Sequence, residues 1–310
     1  MHLRVISPSE TTEEVLSYLV AEPAVANLVV HRGAAVDPAG DVVIADVARE
    51  SANEVLRALK AMGLDKNGSI ALDAVGVALS SRGSEAEKAA PGAGDDAVVW
   101  EEIEQRTGEE SRLSVTFLLF LSIATVIAGI GVLLDQPILI VGAMVVGPEF
   151  GPLAALSVGV IRRRPRVIGR SLLALTVGFA VAIVVTVLST LALNAGGLVT
   201  REMLLGARPL TDFIWRPDAL SWVIAFLAGI AGILSLTTAK SGALIGVLIS
   251  VTTVPAAGNV AVAIAYGVPD EAWGSALQLG INLGAIATAG ILTLAVQRWL
   301  SRRRRPVARA

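Results

Sequence analysis

The sequence predicts an α-helical polytopic membrane protein of about six spans, preceded by an α+β cytosolic domain of ferredoxin-like βαββαβ order. Three observations carry that expectation. Residues 113–300 hold six apolar runs long enough to cross a hydrocarbon core of about 30 Å, which takes about 20 helical residues. Charge is unevenly divided: residues 1–112 carry 20 acids and 10 bases, the remainder 7 acids and 15 bases, within a formal net charge of −2. Residues 1–79 alternate strand-like and helix-like periodicities.

In the first domain, residues 3–6 read as a strand and 9–21 as a helix capped by Ser7 or Ser9. Residues 24–32 and 41–48 read as strands joined across Gly33 to Gly40. A second helix, Glu50 to Met62, places Val55, Leu56, Leu59 and Met62 at helical spacing and stops at Gly63; residues 69–75 form the last strand. This order hosts ligand sensing, metal binding and plain oligomerisation alike. No phosphate-cradling glycine loop or catalytic cluster accompanies it, so regulation or self-association is its expected role. Residues 80–112 read as a connector. Gly, Ser, Ala and acids make 80–97 flexible, and 98–112 reads as a helix entering the first span, with Trp100 as an interfacial anchor.

The spans lie near 113–134, 137–160, 168–194, 219–238, 241–266 and 273–299. The loop Arg162-Arg163-Arg164-Pro165-Arg166 and the basic tail of residues 301–310 are expected on the cytoplasmic side, with Lys240 between spans four and five. Both termini are then cytoplasmic and the protein is a multi-pass protein of the inner membrane. The outer connections hold Asp135, Asp270 and Glu271, with Arg201, Arg208 and Arg216 as their bases. The N-terminus has no basic segment followed by an apolar one, so no signal peptide is expected. An acidic soluble part argues against nucleic acid as a partner. The absence of cysteine excludes disulfides and thiolate chemistry, and His2 and His31 are too few for a zinc site, so neither metal nor cofactor is expected. Glycine-rich helix faces suggest a homo-oligomer.

The most informative residue is Glu149, held in Gly147-Pro148-Glu149-Phe150-Gly151-Pro152 about thirteen residues into the second apolar run. An ionisable side chain at that depth costs about 2.5–3.5 kcal/mol even on lenient insertion scales, so it is expected to face a protein interior or a watery cavity. Pro148 and Pro152 each remove a backbone donor, which frees the carbonyls of Met144 and Pro148. The fifth run is broken similarly at Pro255, freeing the carbonyl of Val251, with Thr252, Thr253 and Asn259 around it; Asn282 lies in the sixth. Irregular helices in corresponding positions of two three-span halves mark a transporter site and an inverted repeat. Small residues at spacing four, Ala225 with Gly229 and Gly280 with Gly284, read as close-packing positions.

Three segments together resemble a family of bacterial and archaeal membrane proteins described only as a hydrophobic domain of unknown function. They are Gly142 to Pro152, Gly246 to Pro255 and Ile281 to Ile286. As the resemblance implies, members often carry a Ser-Pro-Leu-Met-Gly-Pro type of sequence at Gly147 to Pro152 and a double proline at Pro255-Ala256. This chain departs from both, which leaves two readings of Glu149, a family-wide mechanism or a subgroup's own ion coupling. The resemblance supplies architecture and no substrate.

The function these residues point to is a membrane transporter or ion pathway for a small solute or ion, with Glu149 as proton or cation site. Carbonyls of Met144 and Val251 and the side chains of Thr253, Asn259 and Asn282 are expected to coordinate the solute. The alternative is a non-transporting membrane scaffold or sensor that works through its cytosolic domain. An enzyme is not expected: no histidine follows His31, and no Ser-Lys pair or metal cluster lies in the spans.

Overall fold

Alternating burial along short strands sets the core of the N-terminal part. The computed structural model describes residues 1–75, 79–90, 99–238 and 252–303. The chain divides into two compact units, chiefly Met1–Glu102 and Ile103–Arg298. In the first unit, β1 (His2–Ser7), β2 (Val25–Val36), β3 (Ala39–Val47) and β4 (Ser69–Asp73) form one antiparallel sheet in the order β2-β3-β1-β4. Val5 lies opposite Val43 on one side and Ile70 on the other. Leu3, Val5, Val43 and Val47 face the helices, so the period of two along each strand points them to one core.

Two helices cover that face. Helix α1 (Thr12–Ala21) contributes Val15 and Leu19, and α2 (Ala52–Ala61) contributes Val55 and Leu59. Each fully buried Val or Leu contributes about 1.5–3 kcal/mol of transfer free energy. Gly63, with φ of +80°, stops α2 in a left-handed conformation that a side chain would strain, and α3 (Leu64–Asn67) then adds Leu64 to the core.

The structure moves several predicted boundaries. The hairpin extends beyond the expected strands because Gly33, with φ of +61°, absorbs a bulge and donates its N–H to Asp41 Oδ1 at 2.7 Å. Neither Ser7 nor Ser9 caps α1. Ser7 stays in β1, its hydroxyl 2.9 Å from that of Thr11, while the Pro8 carbonyl collects the N–H and hydroxyl of Thr11. Residues 81–89, read as flexible connector, form α4 (Ser81–Ala89), whose first turn is capped by Ser80 Oγ accepting from Gly83 N at 3.1 Å. Residues 91–98 of the connector lie outside the described residues. Trp100 opens α5 (Trp100–Glu110), and its N–H donates to Asn53 Oδ1 at 3.1 Å.

The second unit is helical. Val115–Leu133 (α6), Pro165–Ala195 (α9), Ala219–Thr237 (α11) and Pro269–Arg303 (α13) include stretches long and apolar enough to cross a membrane. Pro137–Val146 (α7) and Phe150–Arg162 (α8) make a fifth if their 50° bend is one broken span. Arg201–Leu205 (α10) lies in the connection after α9. The shorter Thr253–Tyr266 (α12) covers the second part of the expected fifth run; its first part lies outside the described residues, as do Lys240 and residues 304–310.

Helix α12 is the centre of this unit. Ala256, Ala257, Ala261, Val262 and Ala263 have no exposed surface. A Cβ on Gly258 would stand 2.8 Å from the Gly129 nitrogen and 3.0 Å from the Thr125 carbonyl oxygen, so α12 and α6 meet backbone to backbone. Gly229 likewise brings α11 against Ile286 and Ala289 of α13, whereas a Cβ on Gly280 or Gly284 would meet no described residue. Outward faces carry Phe120, Ile123, Leu173, Leu188, Trp222 and Leu227, an apolar surface compatible with a membrane protein.

The unit has two chemically distinct ends. At one, Asp135 accepts from the Thr211 hydroxyl at 2.9 Å and Arg201 Nε donates to the Tyr266 carbonyl at 3.1 Å. At the other, Arg162 pairs with Glu104, and Arg298 Nη1 donates to the Ile161 carbonyl at 2.6 Å, satisfying an acceptor in the last turn of α8.

Candidate functional site

The break between α7 and α8 follows from one missing donor. Pro148 has no N–H for the Met144 carbonyl, so α7 closes at Val146 with Gly147 N bonded to the Ala143 carbonyl at 3.1 Å, and the chain turns in extended geometry. Pro152 lies inside α8 rather than at the break, contrary to expectation, while residues 239–251, which precede α12 and Pro255, lie outside the described residues. Each of these prolines is the third residue of its helix, α8 and α12, where an N–H has no intrahelical acceptor and its loss costs nothing. Two helix starts of matching form, Phe150-Gly151-Pro152 and Thr253-Val254-Pro255, result.

Glu149 stands where those starts meet. It caps the backbone of α8, its carbonyl accepting from Leu153 N at 3.3 Å, but its carboxyl makes no capping hydrogen bond to that helix. Oε1 accepts from the Thr253 hydroxyl at 2.6 Å. Oε2 is buried with no hydrogen-bonding partner among the described residues. The residue is 5% exposed, and its neighbours Phe150 in sequence and Val254 across the Gly147 approach are buried. A Cβ on Gly147 would fall onto Glu149 Oε2 and 2.7 Å from Val254 Cγ2, so glycine is what lets the carboxyl and α12 approach.

The remaining predicted residues fall into two further groups. Thr252 Oγ accepts from Asn282 Nδ2 at 3.0 Å, and Gln278 Nε2 donates to Asn282 Oδ1 at 3.1 Å. Asn259 is not at Glu149. Its Nδ2 donates to Ser275 Oγ at 2.7 Å and to Glu271 Oε1 at 3.1 Å, while its Oδ1 accepts from Arg208 Nη1 at 3.5 Å. Arg208 also forms an ion pair with Glu271. Val251 lies outside the described residues.

Arg208, Glu271, Ser275 and Gln278 are the residues that sequence reasoning missed. Arg208 and Glu271, expected in the outer connections, are 6% and 5% exposed. The available signal was spacing: Glu271, Ser275, Gln278 and Asn282 recur at intervals of four, three and four, one face of a helix. No group of three or more His, Asp or Glu able to hold a metal occurs among the described residues.

Residues 144–288, which contain all three groups, match the family model described as "Domain of unknown function (DUF389)". An uncharacterized protein of Methanocaldococcus jannaschii, MJ0678, is 26% identical over 207 residues, 65% of this chain and 62% of the relative. No solved structure matches. The resemblance carried by Gly142 to Pro152, Gly246 to Pro255 and Ile281 to Ile286 is therefore borne out: the segment bearing the buried polar groups is a DUF389 match.

Proposed function

We propose that this chain is an integral membrane transporter or ion pathway in which Glu149 takes up and releases a proton or a small cation. One observation carries the reading: a carboxyl buried at the turn between α7 and α8, with one oxygen on Thr253 and the other unpartnered among the described residues. Burying an ionisable group is costly in lipid, and such groups mark pathways and relays. The Met144 carbonyl, freed by Pro148, and the Thr253 hydroxyl are acceptors and donors for what passes. Flux through reconstituted protein that persists unchanged in a well-folded Glu149→Gln variant would sink this role.

The wider arrangement we propose is six spans in two inverted halves of three. The matching starts of α8 and α12, each with proline third, support corresponding broken helices. In the first unit, the order β2-β3-β1-β4 with α1 and α2 on one face supports a ferredoxin-like regulatory or oligomerisation domain. The arginines at 162–166 favour the inner membrane with cytoplasmic termini, and the small-residue faces favour a homo-oligomer. A second reading, a non-transporting scaffold or sensor, is favoured by the low exposure of Glu149. Thiol probes placed beside Glu149 that stay unlabelled from both sides would support it.

A further inference from the structure

We propose that the polar face of α13 is one arm of the pathway, leading from Glu149 to the Arg208 end of the unit, and that the Arg208–Glu271 ion pair is its gate. The inference rests on the reading of Glu149 as a proton or cation carrier and names the route and closure that reading lacks.

Four polar residues on one helix face are buried together. Glu271 and Ser275 accept from Asn259 of α12, Asn282 donates to Thr252 just before α12, and Gln278 donates to Asn282. From Glu271 to Asn282 is eleven residues, about 16 Å at 1.5 Å per residue. That is about half of a 30 Å hydrocarbon core, the distance from a mid-depth group to one surface. At the inner end, Thr252 passes the column to its neighbour Thr253, whose hydroxyl holds Glu149. At the outer end stand Arg208 and Glu271.

Beyond Asn282, α13 buries Ala285, Ile286, Ala289 and Leu294, and Gly229 of α11 packs onto two of them. On that side the Ser157 hydroxyl is spent on the Leu153 and Ala287 carbonyls. Glue between helices needs paired polar groups, and this column leaves some open. Glu149 Oε2, Gln278 Oε1 and Arg208 Nε are buried without partners among the described residues, one near each end and one between. Such positions suit a species that moves from group to group, either a proton or a small monovalent cation shedding water. Arg208 bars a cation electrostatically while its pair with Glu271 fixes it across the column. Rearrangement of that pair opens the arm.

The absence of native cysteine makes the test direct. Ser275→Cys and Gln278→Cys are placed singly in the full-length chain, reconstituted in vesicles, and exposed on either side to a membrane-impermeant methanethiosulfonate. The same is done in an Arg208→Gln/Glu271→Gln background, which replaces the charges without leaving one unpaired. The expected result is labelling of both positions from one and the same side, faster by about tenfold or more without the ion pair, the factor that 1.4 kcal/mol of closure represents. No labelling in either background would overturn the arm, and equal rates in both would overturn the gate. A Gln278→Leu variant read by flux gives a second measurement: normal flux overturns the route. Labelling does not depend on flux. One-sided labelling with flux insensitive to Glu149→Gln would fail the Glu149 reading and leave the arm as an aqueous route.

Discussion

Replacing Gly147 with alanine adds one methyl group at the closest approach of the break to α12. That methyl would fall onto Glu149 Oε2 and 2.7 Å from Val254 Cγ2, well inside contact distance. Glu149 is anchored by Thr253 at 2.6 Å, and Val254 follows Thr253 in the same helix turn, so neither can yield alone. The helix starts must part or the hydrogen bond must break. Overpacking of this kind costs about 1–3 kcal/mol. Expressed as an equilibrium, it is about a 5- to 150-fold shift against any state that needs the contact closed. Gly142→Ala is the matched control, on the same helix with no described atom within 4 Å of the added methyl. Thermal unfolding of purified protein in detergent and flux in vesicles would both be read. Gly147→Ala is expected to melt lower and to alter flux, and Gly142→Ala to do neither. Equivalence of the two variants would refute the close approach of Glu149 to α12.

Three further outcomes follow from the same contacts. Thr253→Val removes the described donor to Glu149 at nearly constant volume; a loss of about 0.5–1.5 kcal/mol is expected, or about 1.5–3 if the carboxyl is charged, with Thr253→Ser restoring most of it. A detergent melt of Thr253→Val identical to native would contradict the bond. Arg208→Leu strands Glu271 in the interior and is expected to cost about 3–5 kcal/mol, whereas Arg208→Met with Glu271→Gln is expected near neutral, because a buried pair contributes little net stability. Equal melts for the single and double variants would contradict that coupling. In the first unit, the Gly33 N–H, the Thr12 hydroxyl and the Arg32 guanidinium hold the Asp41 carboxyl below the usual carboxylate range. Since its folded value lies below the unfolded one, its stabilisation is complete above the ordinary value of about 3.9 and is lost as pH falls through the lowered value. Amide protection of Val5 and Val43 is expected to fall along that limb in the native chain and to be flatter in Asp41→Asn.

The sequence made the broken span readable because proline and glutamate in an apolar run leave few physical options. The site's other half was harder to see. Proline third in a helix and proline within a helix look alike until the helix start is known, which is why Pro152 read as a break. Arg208 read as part of an outer connection, where a charge is normally solvated. Here the connection folds back, burying Val199, Leu204 and Ile214 against α6, α7 and α12, and takes Arg208 inside with it. Glu271 is hidden by the same packing. In the first unit, strand alternation located the sheet, while the bulge at Gly33 and the turn at Pro8 shifted its edges.

The most direct test of Glu149 is proton and monovalent-cation flux in proteoliposomes under an imposed pH gradient, comparing the native chain with Glu149→Gln and Glu149→Asp. Flux present in the native chain, abolished by glutamine and partly kept by aspartate in equally folded protein is the predicted result. Equal flux in all three, or none in a well-folded native chain, would contradict it.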